Sequence, residues 1–179
     1  MDSKLKKIFL ILFLYTGVIY SSGIKDKAFE IINNSFISPK IEIEKFDLEP
    51  SLKTKIEHDV KQRFYQDYIY IYKIFVKGKI EGYALIDNVL GKSMPITFMV
   101  IFNNDGSIQN SSILKYREPY GGAVTSEDWQ SQFKGKSNNS SYEIGKDIST
   151  ISGATISVNS VSTGIRKLTY LFNSIKSKL

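Results

Sequence analysis

The chain has 179 residues, 42% of them hydrophobic and 23% charged, which is enough apolar material for one packed domain and argues against disorder. The formal net charge is +6, but Lys4, Lys6 and Lys7 cluster at the start, and the later charges mix in sign without a Lys/Arg block, which argues against nucleic-acid binding. There is no Cys, which excludes disulfides, thiolate metal sites, C-x-x-C-H haem attachment and a lipoprotein cysteine.

Three lysines, the apolar stretch Ile8 to Tyr20 and the small residues Ser21-Ser22-Gly23 have the layout of an export signal. Residues 1–23 are therefore expected to be a cleaved signal peptide or a short retained membrane anchor. The apolar stretch is brief against the roughly 20 residues of a full bilayer crossing. Either way, the rest of the chain is expected to be exported, to the periplasm or the extracytoplasmic face of the membrane.

Residues 24–66 read as a helical and extended segment. Ala28, Ile31 and Ile32 predict a short helix over 24–33, and alternation of Ile41 and Ile43 with Glu42 and Glu44 predicts a strand over 39–46. Glu49-Pro50-Ser51 opens a helix carrying Leu52, Ile56 and Val60 on one side and expected to reach Phe64. The sole histidine, His58, has no companion ligand and is read as a surface or capping residue.

Residues 67–179 read as the main domain. From Tyr68 the period is two, Lys77-Gly78 turns the chain into 80–89, and 95–102 is a further apolar strand. Asn103-Asn104-Asp105-Gly106 is a hairpin signal leading into 107–117, so the middle is expected to be an antiparallel meander of about four strands. Pro119 and the pair Gly121-Gly122 mark a loop, followed by a short helix over 126–133 with Ser126 as cap, Glu127 and Asp128 in its first turn, and Trp129 as core packing. The fold class is α+β, a central antiparallel sheet with flanking helices and a C-terminal helix.

The last helix carries Val158, Val161, Ile165, Leu168, Leu171, Phe172 and Ile175 at the spacing of one buried face. Ser152-Gly153-Ala154-Thr155 stands at its start. A helix N-terminus, with its unpaired N–H groups and positive dipole end, suits a phosphate, and a glycine lets a bulky ligand approach the backbone. The same residues also read as an ordinary capped turn, with Ser152 or Thr155 as N-cap.

Asp147-Ile148-x-x-Ile151-Ser152-Gly153-Ala154-Thr155-x-Ser157, followed by a Gly-x-Arg-Lys helix, resembles the flavinylation motif of the FMN-binding domain family. That family includes components of the sodium-pumping NADH:quinone oxidoreductase and of the Rnf complex. The resemblance implies FMN joined to Thr155 through a phosphoester bond, made by a separate flavin transferase with FAD as donor. Asp147 has the spacing of stand-alone members; respiratory-complex members carry an acid where Ser149 stands. Residues 116–122, with Trp129 and Phe133 downstream, resemble the family's second loop, which flanks the flavin, and Gly91-Lys92 with Pro95 to Phe98 is also similar to stand-alone members.

The resemblance, over roughly residues 68–172, thus implies a cofactor site of Thr155, Ser152, Gly153, Ala154 and Asp147 together with Glu118, Arg117, Tyr120, Gly121, Gly122 and Trp129. Glu118 would orient its loop, Tyr120 or Trp129 would pack on the flavin ring, and Arg117 would stabilise negative charge on reduced flavin. The expected function is electron transfer between a membrane-bound donor and another carrier or reductase. The alternative is a non-redox exported binding or adaptor domain that keeps the fold without flavin. Gly91-Lys92-Ser93 is not a P-loop, because Ile86 stands where its first glycine belongs. No Gly-x-Gly-x-x-Gly follows a strand, and no Gly-x-Ser-x-Gly elbow is present, so nicotinamide binding and hydrolase readings lack their parts.

Overall fold

The computed structural model describes residues 23–179; the expected signal or anchor segment lies outside them apart from Gly23. In chain order the elements are α1 (Ile24–Ser35), β1 (Lys40–Asp47), α2 (Pro50–Val60), β2 (Tyr68–Val76), β3 (Lys79–Leu90), β4 (Pro95–Phe102), β5 (Ile108–Lys115), α3 (Glu127–Ser131) and α4 (Thr155–Ile175). The strands form one antiparallel sheet in the order β1-β2-β3-β4-β5. The α+β expectation is borne out, and the meander gains β1 as a fifth strand paired along β2 from Lys40↔Phe75 to Asp47↔Tyr68.

The sheet is covered unequally. On one face α1 buries Ala28 and Ile32 against Tyr72, Ile74, Ala84, Met99 and Ile101. On the other, α4 lies across the strands, and all seven apolar residues of its periodic face are buried. Phe172 stacks on Phe102 with ring centres 4.5 Å apart and tilts against Tyr83 at 5.1 Å. Gly164 sets how closely α4 can lie. A Cβ there would come within 2.6 Å of Val89 Cγ1 and 2.8 Å of Phe98 Cζ, so only a bare backbone fits.

The helix is also pinned by a buried ion pair. Lys167 is fully buried, with its ammonium 2.9 Å from Asp87 on β3, 2.7 Å from the Arg63 carbonyl it donates to, and over the Phe64 ring. Burial pushes the Asp87 carboxyl up and the Lys167 ammonium down from their ordinary values, and each charge opposes the other's shift. The Lys167–Arg63 contact also explains why α2 is shorter than expected. The helix stops at Val60, Lys61 turns left-handed at φ 57°, and Phe64 folds back into the core with its N–H donated to Glu57. At the other end of α2, Glu49 is the cap, its carboxylate accepting from the Ser51 and Leu52 N–H groups, with Pro50 in the first turn. His58 is on the surface beside Asp59.

Replacing Gly164 by Val should lower the unfolding free energy by about 1–3 kcal/mol, read by urea denaturation. Asp87→Asn leaves the buried ammonium without its counter-charge and should cost about 3–5 kcal/mol, whereas Asp87→Leu combined with Lys167→Met should cost far less.

Candidate functional site

Thr155 is the first residue of α4, and what precedes it is a tight turn. The Ala154 N–H donates to the Ile151 carbonyl at 3.1 Å, closing Ile151-Ser152-Gly153-Ala154. Gly153, at the third position, has φ 76°, and nothing lies within 4 Å of where its Cβ would be. Glycine is thus needed for the backbone sign alone.

The N-cap is Ala154, with no side-chain cap hydrogen bond. Neither Ser152 nor Thr155 occupies that position, so the ordinary-cap reading of the turn is not what the chain adopts. Serine, threonine, aspartate or asparagine at an N-cap stabilises a helix by about 1 kcal/mol over alanine, and this helix does without it. Intrahelical bonding begins with Val158 N–H to Ala154 O at 2.9 Å. Ahead of it, the N–H groups of Thr155, Ile156 and Ser157 point out of the helix end toward its positive pole. Thr155 is exposed, and its hydroxyl has no hydrogen-bond partner among the described residues.

Two further segments meet this turn and enclose a cleft of about 560 Å³ with Gly153 to Ser157. One is the β3–β4 connection, which supplies Lys92 and Ser93; the other is the chain after β5, which supplies Glu118, Pro119, Tyr120 and Gly121. Each is tied in by a specific contact. The Glu118 carboxylate accepts the Ser93 N–H at 2.6 Å, the Met94 N–H at 2.8 Å and the Ser93 hydroxyl at 3.1 Å. Those N–H groups, Met94 first and then Ser93, hold its carboxyl below the usual range. A Cβ at Gly91 would lie 2.5 Å from the Glu118 carboxylate, so the latch closes only over a glycine. The Tyr116 hydroxyl lies 2.8 Å from the Ser157 hydroxyl and donates to the Tyr120 carbonyl, stitching the loop to the first turn of α4. Gly121, at φ 79°, passes between them, where a Cβ would be 2.9 Å from the Tyr116 hydroxyl.

Of the residues singled out from sequence, Thr155, Ala154, Gly153, Glu118, Tyr120 and Gly121 line the cleft. Tyr120 is 82% exposed, its ring free to cover a ligand. The others stand outside the lining. Ser152 is exposed in the turn, and Gly122 begins a short 3-10 turn over Gly122–Thr125. The Arg117 guanidinium donates to the Pro95 carbonyl and the Thr97 hydroxyl, bracing the exit of β5 against β4. Trp129 is buried against Phe133 and donates its indole N–H to the Ser149 carbonyl at 2.9 Å, while the Ser149 N–H donates to the Gln132 side chain at 2.8 Å. These contacts fix the run-in to the turn from α3. Asp147 orders that run-in locally: it accepts from the Ser141 hydroxyl and the Glu143 N–H, and the Ser141 bond leads in lowering its carboxyl's pKa. Lining residues without a role assigned from sequence are Lys92, Ser93, Pro119, Ile156 and Ser157. Local signals existed for Ser157, the second residue after the motif's Thr, for Lys92 in the Gly91-Lys92 element and for Pro119 in the 116–122 loop, but not for Ser93 or Ile156.

The Glu118 latch should be acid-sensitive. Its carboxyl is depressed in the folded protein, so its contribution is full above the unfolded carboxylate value of about 4.3 and is lost as pH falls through the lower folded value. The Ser93 and Met94 amide resonances should move together in an NMR titration, and Glu118→Gln should abolish that movement.

A bare helix N-terminus beside an exposed hydroxyl, a bare-backbone passage at Gly121 and a free aromatic ring fit the phosphate and planar ring of a flavin nucleotide. No curated protein matches the chain. The family model described as FMN-binding domain matches residues 91–169, a span that contains all three segments of the cleft. Over that span the chain is similar to the FMN-binding domain family.

Proposed function

We propose that this protein is an extracytoplasmic electron-transfer flavoprotein whose FMN is joined to Thr155 by a phosphoester bond. The observation that carries the reading is the unfilled cap at Ala154 next to an exposed, unengaged Thr155 hydroxyl. In the attachment step the Thr155 oxygen bonds to the flavin-side phosphorus of FAD, the pyrophosphate bond breaks, AMP leaves and the hydroxyl proton passes to solvent or to the flavin transferase. Exposure of Thr155 suits a hydroxyl that must enter another protein's active site.

Once FMN is attached, the first-turn N–H groups of Thr155, Ile156 and Ser157 hold the phosphate, and the dipole of the 21-residue α4 favours its charge. Lys92 adds a cation to the lining. Tyr120, Pro119 and Ile156 offer apolar surface to the ring, and the Glu118 latch fixes the opposite wall. The bound isoalloxazine supplies one- and two-electron redox chemistry; the protein supplies position and electrostatics. A covalent link keeps the cofactor from diffusing away outside the cell, which fits the export-type start of the chain. The electron donor is proposed to be membrane-bound, and the acceptor another carrier or a reductase.

Full-length protein co-expressed with a flavin transferase should gain the mass of one FMN less water and show fluorescence that survives denaturation. Thr155→Val should lose both with an unchanged melting temperature. A colourless, unmodified wild type would instead favour a non-redox adaptor.

A further inference from the structure

Glu118 and Lys92 supply the carboxylate and the ammonium in the lining of the cleft, yet they do not pair. The Glu118 oxygens accept from the Ser93 and Met94 N–H groups and from the Ser93 hydroxyl, which offset its charge within the loop. The Lys92 ammonium stands on the lining without an ion-pair or hydrogen-bond partner among the described residues. Arg117, the cation that the sequence pointed to for reduced flavin, is engaged by the Pro95 carbonyl and the Thr97 hydroxyl and does not line the cleft. The uncompensated cation of the cleft is Lys92.

Its place follows from the ties around the cleft. The loop from Glu118 to Gly121 runs between the other two segments. Glu118 is bonded to the β3–β4 connection, and Gly121 passes against Ser157 in the first turn of α4. Three links separate those two residues, a span of at most on the order of 10 Å. Thr155 stands at the α4 end and Lys92 at the β3–β4 end, with Pro119 and Tyr120 between them. FMN separates its phosphate from its ring by the ribityl chain, so a phosphate held at the α4 end directs the ring toward the Lys92 end.

We infer that Lys92 sets the reduction potential of the flavin, its ammonium meeting the edge of the ring that becomes negative. This rests on FMN being joined to Thr155. Uptake of two electrons from the donor and one proton from solvent leaves the isoalloxazine with one negative charge, shared by N1 and the C2 carbonyl. A cation at that edge favours the reduced ring over the neutral oxidised one and raises the potential. The Glu118 latch fixes the backbone that follows Lys92, and Gly91, over which the latch closes, precedes it. The acid that could have neutralised the ammonium instead holds its loop in place.

A charge series at position 92 tests this, read as the midpoint potential of the attached flavin by dye-equilibrated spectroelectrochemistry. Full-length wild type, Lys92→Arg, Lys92→Gln and Lys92→Glu would each be co-expressed with a flavin transferase. The potential is read per bound flavin, so the extent of attachment does not enter it. Lys92→Gln should weaken the preference for the reduced ring about tenfold, a fall of about 30 mV for a two-electron couple. Lys92→Glu should fall further, Lys92→Arg should stay near wild type, and added salt should shrink the differences. Lys79→Gln, the same charge change at the other end of the 12-residue β3, should leave the potential unmoved. An unchanged potential in flavin-bearing Lys92→Gln overturns the inference and leaves the attachment at Thr155 standing. A shift shared by Lys92→Arg, or one that high salt does not reduce, also overturns it, because either marks a displaced loop rather than a lost charge. Wild type that carries no flavin overturns both.

Discussion

The packing of α4 across the sheet is the contact on which everything else depends. A 21-residue helix is about 30 Å long, so its N-terminus lands wherever its middle is fixed. Gly164 lets its backbone rest on Val89 and Phe98, and the Lys167–Asp87 pair fixes its rotation, since a fully buried ammonium must meet its partner or stay uncompensated. With the middle so constrained, Thr155 is delivered to the end of the sheet where β3 hands over to β4 and β5 to the following loop. The ion pair has a second effect: Lys167 also holds the Arg63 carbonyl, and so seats Phe64 and the end of α2.

The cleft itself is an assembly of three segments that are distant in sequence and have little regular structure. None is self-supporting. The β3–β4 connection is held by the Glu118 carboxylate, the Glu118 loop is held through Tyr116 and Ser157, and the approach to the turn is held by Trp129 and Gln132. Each tie crosses from one segment to another, so the site exists only in the folded domain. What it leaves free is equally specific: the first-turn N–H groups, the Thr155 hydroxyl and the Tyr120 ring. Stabilising contacts surround the ligand positions without filling them.

The sheet also links two surfaces of different character. One end of β3 leads to a cleft suited to an anionic, planar cofactor, and the same strand borders a tyrosine-rich groove next to the start of α1. β3, hydrogen-bonded to a strand on each side, runs from the border of the groove to the connection that lines the cleft.

Much of this was legible in the sequence. Alternation from Tyr68 onward, the Asn-Asn-Asp-Gly turn and the three-and-four spacing after Val158 are local, periodic signals, and local steric rules translate them directly into strands, a hairpin and a helix. The Ser-Gly-Ala-Thr segment was readable as a turn before a helix, but not its details: neither Ser152 nor Thr155 is the cap, and Gly153 is required by the sign of φ alone. Tertiary structure decided the rest. Arg117 and Trp129, which looked like cofactor neighbours, are spent on bracing β4 and the run-in, because their partners, Pro95, Thr97 and Ser149, lie some twenty residues away. Lys92 and Ser93 reach the cleft only because Glu118 draws their turn toward it, and Lys167 is buried only because Asp87 waits on β3. Periodicity reports which face of an element is apolar; which polar group meets which is fixed by long-range packing, and that is where sequence alone falls silent.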